Sequence, residues 1–142
     1  MATTRTATAH WEGSLKEGAG EVALKSSGIG TFPVTWRARA ESAEGKTSPE
    51  ELIAAAHSTC YSMALSNALA NAGTPPTSIE TTAEVTFEPG TGITGIALSV
   101  VGDVPDISAE QFEAAAQEAK TGCPVSQALS AVPISLETSF TG

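Results

Sequence analysis

The chain holds two cysteines, Cys60 and Cys123, and their settings differ. Cys60 lies deep within T-S-P-E-E-L-I-A-A-A-H-S-T-C-Y-S-M-A-L, Thr47 to Leu65, a run that opens as a helix. A small buried cysteine is ordinary core filler, so chemistry at Cys60 needs a specific cause. A reactive thiol needs a lowered pKa, and about three turns into a helix the positive end of the dipole no longer helps. A nearby cation must then do it. The helix carries no Lys or Arg; His57, one turn earlier, could form a Cys–His nucleophile with Cys60 or simply pack in the core. The nearest strong cations in sequence are Arg37 and Arg39. They lie on what reads as a strand, where a spacing of two puts both guanidiniums on one face. Cys123 stands between Gly122 and Pro124 at what reads as a helix start, with proline in the first-turn position. There a thiol gains from the dipole and is accessible to a partner, or serves as a small capping residue.

These residues need elements to carry them. Ala7 to Glu12, Gly20 to Ser26 and Thr31 to Ala40 alternate as strands, with a turn at Ser14 to Gly18. Glu41 to Lys46 is polar and loop-like. The long helix spans about Pro49 to Asn71: Ser48 caps it, Pro49 suits the first position, and Glu51 completes a capping box with Ser48. Gly73-Thr74-Pro75-Pro76 stops it. Glu50 is left either to complement the helix dipole or for function. Thr77 to Glu88 and Gly92 to Val101 are two further strands around Pro89-Gly90-Thr91-Gly92. A second helix starts at Ser108 and ends near Gly122, a short third begins at Cys123, and Ile134 to Phe140 closes as a strand. That order indicates an α+β fold in a single domain, residues 1–142.

Composition narrows the function classes. The chain of 142 residues is 41% hydrophobic, and 7 Lys+Arg against 16 Asp+Glu give a formal charge of -9. That balance argues against a nucleic-acid footprint and against attraction to anionic membranes. Leu52 to Ala56, the longest apolar run, is far below the roughly 20 residues of a membrane span. The start MATTRTATAHWEG lacks the apolar segment of a signal peptide, so a cytoplasmic location is expected. A disulfide there would be catalytic or redox-sensing before it would be structural.

The stretch Thr47 to Leu65, together with A-K-T-G-C-P-V-S-Q-A-L, resembles the OsmC/Ohr family of osmotically inducible and organic hydroperoxide resistance proteins. A-H-W-E-G-S-L-K-E-G-A-G and P-T-S-I-E-T-T-A-E-V are similar to its OsmC branch, so the resemblance spans nearly the whole chain. It implies antiparallel sheets wrapped around a long central helix, in an intertwined homodimer with the sites at the interface. It also implies a thiol peroxidase acting on organic hydroperoxides and hydrogen peroxide. By the resemblance Cys60 is the peroxidatic thiolate, which becomes a sulfenic acid, and Cys123 is the resolving thiol that closes an intramolecular disulfide. Glu50 matches the family's orienting glutamate. Arg39 is the better match for its thiolate-stabilising arginine, with Arg37 in reserve. No metal or organic cofactor is implied, and the reductant is a dithiol or a lipoyl-carrying protein.

Helix geometry adds a constraint. Glu50 and Cys60 are ten residues apart, roughly 15 Å along the axis and about 80° around it. Glu50 is therefore either only a helix-start residue or acts on the thiol of another subunit across a two-fold axis. Other classes compete. A cysteine hydrolase would use Cys60 with His57, a zinc site would draw on Cys60, His57, Cys123 and His10, and a non-catalytic small-ligand module would leave both thiols in the core. Only a peroxidase predicts the clean loss of two thiols to one equivalent of hydroperoxide.

Overall fold

The structure, a computed structural model, describes Met1–Gly142. The chain forms two compact units, Met1–Leu52 and Ile53–Gly142.

The first unit is built on a three-stranded antiparallel sheet, β1 (Ala7–Glu12), β2 (Ala19–Leu24) and β3 (Thr31–Val34), in that order. The β1–β2 turn closes through the Gly18 N–H, which donates to the Ser14 carbonyl at 2.8 Å. Gly13, at φ 92, takes the left-handed conformation that the turn needs and that glycine adopts freely. The strand expected over Thr31 to Ala40 ends early. Thr35 caps a short helix, α1 (Trp36–Ala40), its hydroxyl accepting from the Ala38 N–H at 3.1 Å. The chain then turns through Glu44 and Gly45, both at positive φ, and enters α2 (Pro49–Asn71).

The bounds of α2 are those its sequence signals predict, but its capping box is half made. Ser48 Oγ accepts from the Glu51 N–H at 3.1 Å, as expected. The Glu51 carboxylate instead takes the Thr47 hydroxyl at 2.6 Å.

From Ile53 onward α2 belongs to the second unit. That unit adds β4 (Ser78–Glu88), β5 (Gly92–Asp103), α3 (Ala109–Gly122), α4 (Pro124–Ala128) and β6 (Ile134–Thr141), with sheet order β4-β5-β6. β4 and β5 pair antiparallel around the expected turn, whereas β6 pairs with β5 in parallel. The expected sheets and long helix are present, and the second sheet is mixed rather than antiparallel throughout. The return from β5 to β6 passes through α3 and α4, the kind of crossover that parallel pairing requires. α3 begins on a complete capping box, Ser108 with Gln111.

The core of this unit follows from two periodicities. His57, Tyr61, Leu65 and Leu69 recur every four residues on α2, and Ile96, Leu98 and Val100 alternate on β5; all are buried. Phe112 and Ala116 of α3 close over them, and the Tyr61 hydroxyl donates to the Ala116 carbonyl at 2.8 Å. The edge of the Phe112 ring, at Cε1 and Cζ, comes so close to Gly102 of β5 that a Cβ there would collide with it. This packing brings the start of α4 against the middle of α2.

Candidate functional site

Two clusters assemble, one in each unit. In the first, Arg39 and Glu50 form a two-pronged ion pair. Arg39 Nε donates to Glu50 Oε1 at 3.0 Å, and its NH2 donates to Oε2 at 3.0 Å. Glu50 is buried, at 7% relative exposure, and the Arg39 side chain is about one-third exposed. A planar guanidinium is the group that satisfies both oxygens of a carboxylate at once. Glu50 is therefore more than a charge at a helix start.

Arg37 behaves differently. Both arginines lie on α1, so the expectation that they share a strand face is corrected. Two residues along a helix is about 200°, which turns them to opposite sides. Arg37 points outward, 3.5 Å from Glu44 with its side chain 66% exposed. Arg39 also borders a mainly apolar cleft of about 500 Å³ formed with Trp11, Val22, Val34, Trp36 and Leu52.

In the second unit Cys60 of α2 and Cys123, the residue that caps α4, come together as free thiols. Cys60 is half-buried and Cys123 wholly buried. This reverses the expected accessibility of Cys123: α4 starts inside the core, where Cys123 packs with Tyr61 and Phe112. Burial, then the neighbouring Cys123 thiol, push the Cys60 thiol above its ordinary pKa, and the Val125 backbone is the one group that lowers it. Burial also opposes ionisation of Cys123. It is outweighed by the Ser126 backbone, the Cys60 thiol, the Ser126 hydroxyl and the Val125 backbone, so the Cys123 thiol is held below its usual range. Cys123 makes no short side-chain capping bond. Sulfur is a diffuse, weak acceptor, and the N–H groups of the first turn of α4 stabilise its thiolate without one.

His57 does not serve Cys60. Its ring is fully buried, with Nε2 2.7 Å from Ser126 Oγ and Nδ1 without a hydrogen-bond partner. Burial lowers its pKa, so the ring is neutral near pH 7. The reason for the change of partner is geometric: α4 inserts Ser126 against the buried stripe of α2 that His57 begins. No three His, Cys, Asp or Glu side chains gather as metal ligands, and His57 Nε2 lies 2.7 Å from Ser126 Oγ. Ser126 is the site residue that the sequence reading did not single out. The available signal was its place three residues after a helix-capping thiol, where a side chain turns back toward the cap.

Comparison with known proteins follows the same lines. Residues 41–137 match the family described as OsmC-like protein. The chain is 49% identical over 126 residues to peroxiredoxin OsmC of Escherichia coli (strain K12), covering 87% of each chain, and equally to that of Shigella flexneri. Among solved structures, an organic hydroperoxide resistance protein from Elizabethkingia anophelis superposes with a TM-score of 0.72 at 25% identity, covering 99% of this chain and 100% of that one. One from Legionella pneumophila gives 0.70 at 22%, covering the same shares. The chain belongs to the OsmC-like family and has its α+β fold.

Proposed function

We propose that this protein is a thiol-dependent peroxidase that reduces organic hydroperoxides, and hydrogen peroxide with them. The observation that carries the reading is the meeting of Cys60 and Cys123, 63 residues apart in sequence, as two free thiols that act on each other. The Cys60 thiolate attacks the terminal oxygen of the hydroperoxide, and the S–O bond forms as the O–O bond breaks. The alkoxide leaves and takes a proton from solvent to become the alcohol, and Cys60 becomes a sulfenic acid. Cys123 then displaces hydroxide to close the disulfide. The half-buried thiol meets the peroxide and the buried one waits beside it. Arg39 is the cation for the Cys60 thiolate, with Arg37 set aside because it faces outward, and Glu50 holds Arg39 in place. The apolar cleft beside Arg39 suits a bulky organic substrate.

The working unit is a homodimer, and residues 1–142 of each chain act as one domain. Two features support a second copy as the partner. Within a chain Glu50 and Cys60 are roughly 15 Å apart along α2. Every residue of β1 is exposed, and Trp11, Leu15 and Phe32 remain open. Each site takes Cys60 from one chain and the Arg39–Glu50 pair from the other. The reductant is a dithiol or a lipoyl-carrying protein, and the location is cytoplasmic. No helix is long and apolar enough to cross a membrane.

Adding one equivalent of cumene hydroperoxide and counting free thiols tests the reading. The expected result is the loss of two thiols per chain with no intermolecular crosslink. No thiol loss would favour the ligand-module reading. A hydrolase is disfavoured by the engagement of His57 with Ser126.

A further inference from the structure

The side chains of His57, Ser126 and Cys123 are all buried, at 0%, 5% and 0% relative exposure. Ser126 Oγ is 2.7 Å from His57 Nε2. Ser126 also stands three residues along from Cys123, which caps α4, and its hydroxyl is one of the groups that lower the pKa of the Cys123 thiol. The direction of these hydrogen bonds can be argued from His57 Nδ1, which is buried with no partner. If Nδ1 carried the proton, a buried N–H would be orphaned, which native structures rarely tolerate; a bare acceptor lone pair is tolerated more often. The proton therefore sits on Nε2 and is donated to Ser126 Oγ. With its acceptor side occupied, the Ser126 hydroxyl keeps its own hydrogen free to donate, and the neighbouring Cys123 thiol is the group it stabilises.

We propose that His57, acting through the Ser126 hydroxyl, is a positioning residue for Cys123: the pair aims one donated hydrogen at the Cys123 sulfur and holds it as the nucleophile of disulfide closure. No cation is needed for this. Apart from Cys60 and the α4 start, the titratable group that Cys123 bears on is Tyr61 of α2, and Glu113 of α3 acts on Tyr61 in turn. The consequence for closure rests on the peroxidase reading, whereas the state of Cys123 does not. In closure the Cys123 thiolate attacks the sulfenic sulfur of Cys60. The S–S bond forms, the S–O bond breaks, and hydroxide leaves and takes a proton from solvent to become water. The hydroperoxide that made the sulfenate is the only oxidant consumed. In the reductive half, the same donated hydrogen stabilises Cys123 as the leaving thiolate when an external thiol attacks Cys60.

The test begins in a Cys60→Ser background, where thiolate ultraviolet absorbance reports Cys123 alone. Ser126→Ala should move its titration up by about one pH unit, the size expected of a hydrogen bond to a charged group. Ser126→Thr, which keeps the hydroxyl, should restore it. His57→Leu should shift it in the same direction as Ser126→Ala, and His57→Gln, which keeps an N–H near the Nε2 position, should shift it less. With Cys60 present, Ser126→Ala should slow disulfide closure about tenfold more than sulfenate formation. An unmoved titration in Ser126→Ala, or equal slowing of both steps, overturns the proposal. The Ala and Thr variants at position 126 decide it even if both His57 variants fail to fold. A shifted titration in a protein that loses no thiols to hydroperoxide would leave this relay standing and remove the peroxidase reading instead.

Discussion

Arg39 grips Glu50 through two of its nitrogens, each 3.0 Å from a different carboxylate oxygen. The pair joins α1 to the first turn of α2 and leaves the Glu50 carboxylate almost without water. Removing either partner strands a charge. Removing both members of a buried fully paired set with good packing costs far less than breaking it.

Arg39→Ala should therefore destabilise the protein by about 2 kcal/mol, below the ~3–5 range for fully buried pairs because Arg39 is one-third exposed. Arg37→Ala should change stability by less than about 0.5 kcal/mol, as surface substitutions do. Denaturant titration of both variants, with the hydroperoxide reduction rate at neutral pH, checks this. A larger effect at Arg37 on either readout would assign the wrong arginine to the site.

Cys60→Ser should abolish peroxide reduction. Cys123→Ser should consume about one equivalent and then stall, its unresolved sulfenate open to further oxidation. Single-turnover kinetics with mass spectrometry of the products distinguishes the two. Comparable peroxide consumption by wild type and Cys60→Ser would end the assignment of Cys60 as the peroxidatic residue.

A mixed dimer of Cys60→Ser and Glu50→Ala chains should keep one intact composite site. It should show about half the wild-type activity, while each mutant homodimer is impaired. Mixed dimers isolated by two affinity tags supply the sample. Activity no better than that of the homodimers would mean that each chain builds its site alone.

His57 should make stability depend on pH in mild acid. Its folded pKa is lowered by burial from the ordinary 6.5, so the unfolded chain binds the extra proton first. Its contribution is fully present above about pH 6.5 and is lost as pH falls through that value. Between about pH 7 and 5.5, wild type should lose more unfolding free energy than His57→Gln, the difference isolating this group from the carboxylates. Parallel pH profiles for the two proteins would exclude a buried neutral ring.

The sequence alone determined much of the scaffold, because the signals involved act within a few residues. Ser48, Pro49 and the Gly73-Thr74-Pro75-Pro76 stop delimit α2, and Ser108 with Gln111 starts α3, since a cap is satisfied by backbone only two or three positions away. The turn glycines and the strand alternation are equally local. The side on which each arginine lies was not legible. A five-residue helix such as α1 has too few turns to show a period, and its first residue Trp36 continues the alternation of Phe32 and Val34 before it, imitating a strand. Tertiary structure also decided the parallel pairing of β6, because a strand's own residues do not state its partner. It buried Cys123, gave His57 to Ser126 rather than to Cys60, and set Cys60 beside Cys123. Each of these joins residues tens of positions apart. What selects such contacts is the closure of α3 and α4 over the α2 and β5 core, an outcome of packing that no local pattern encodes.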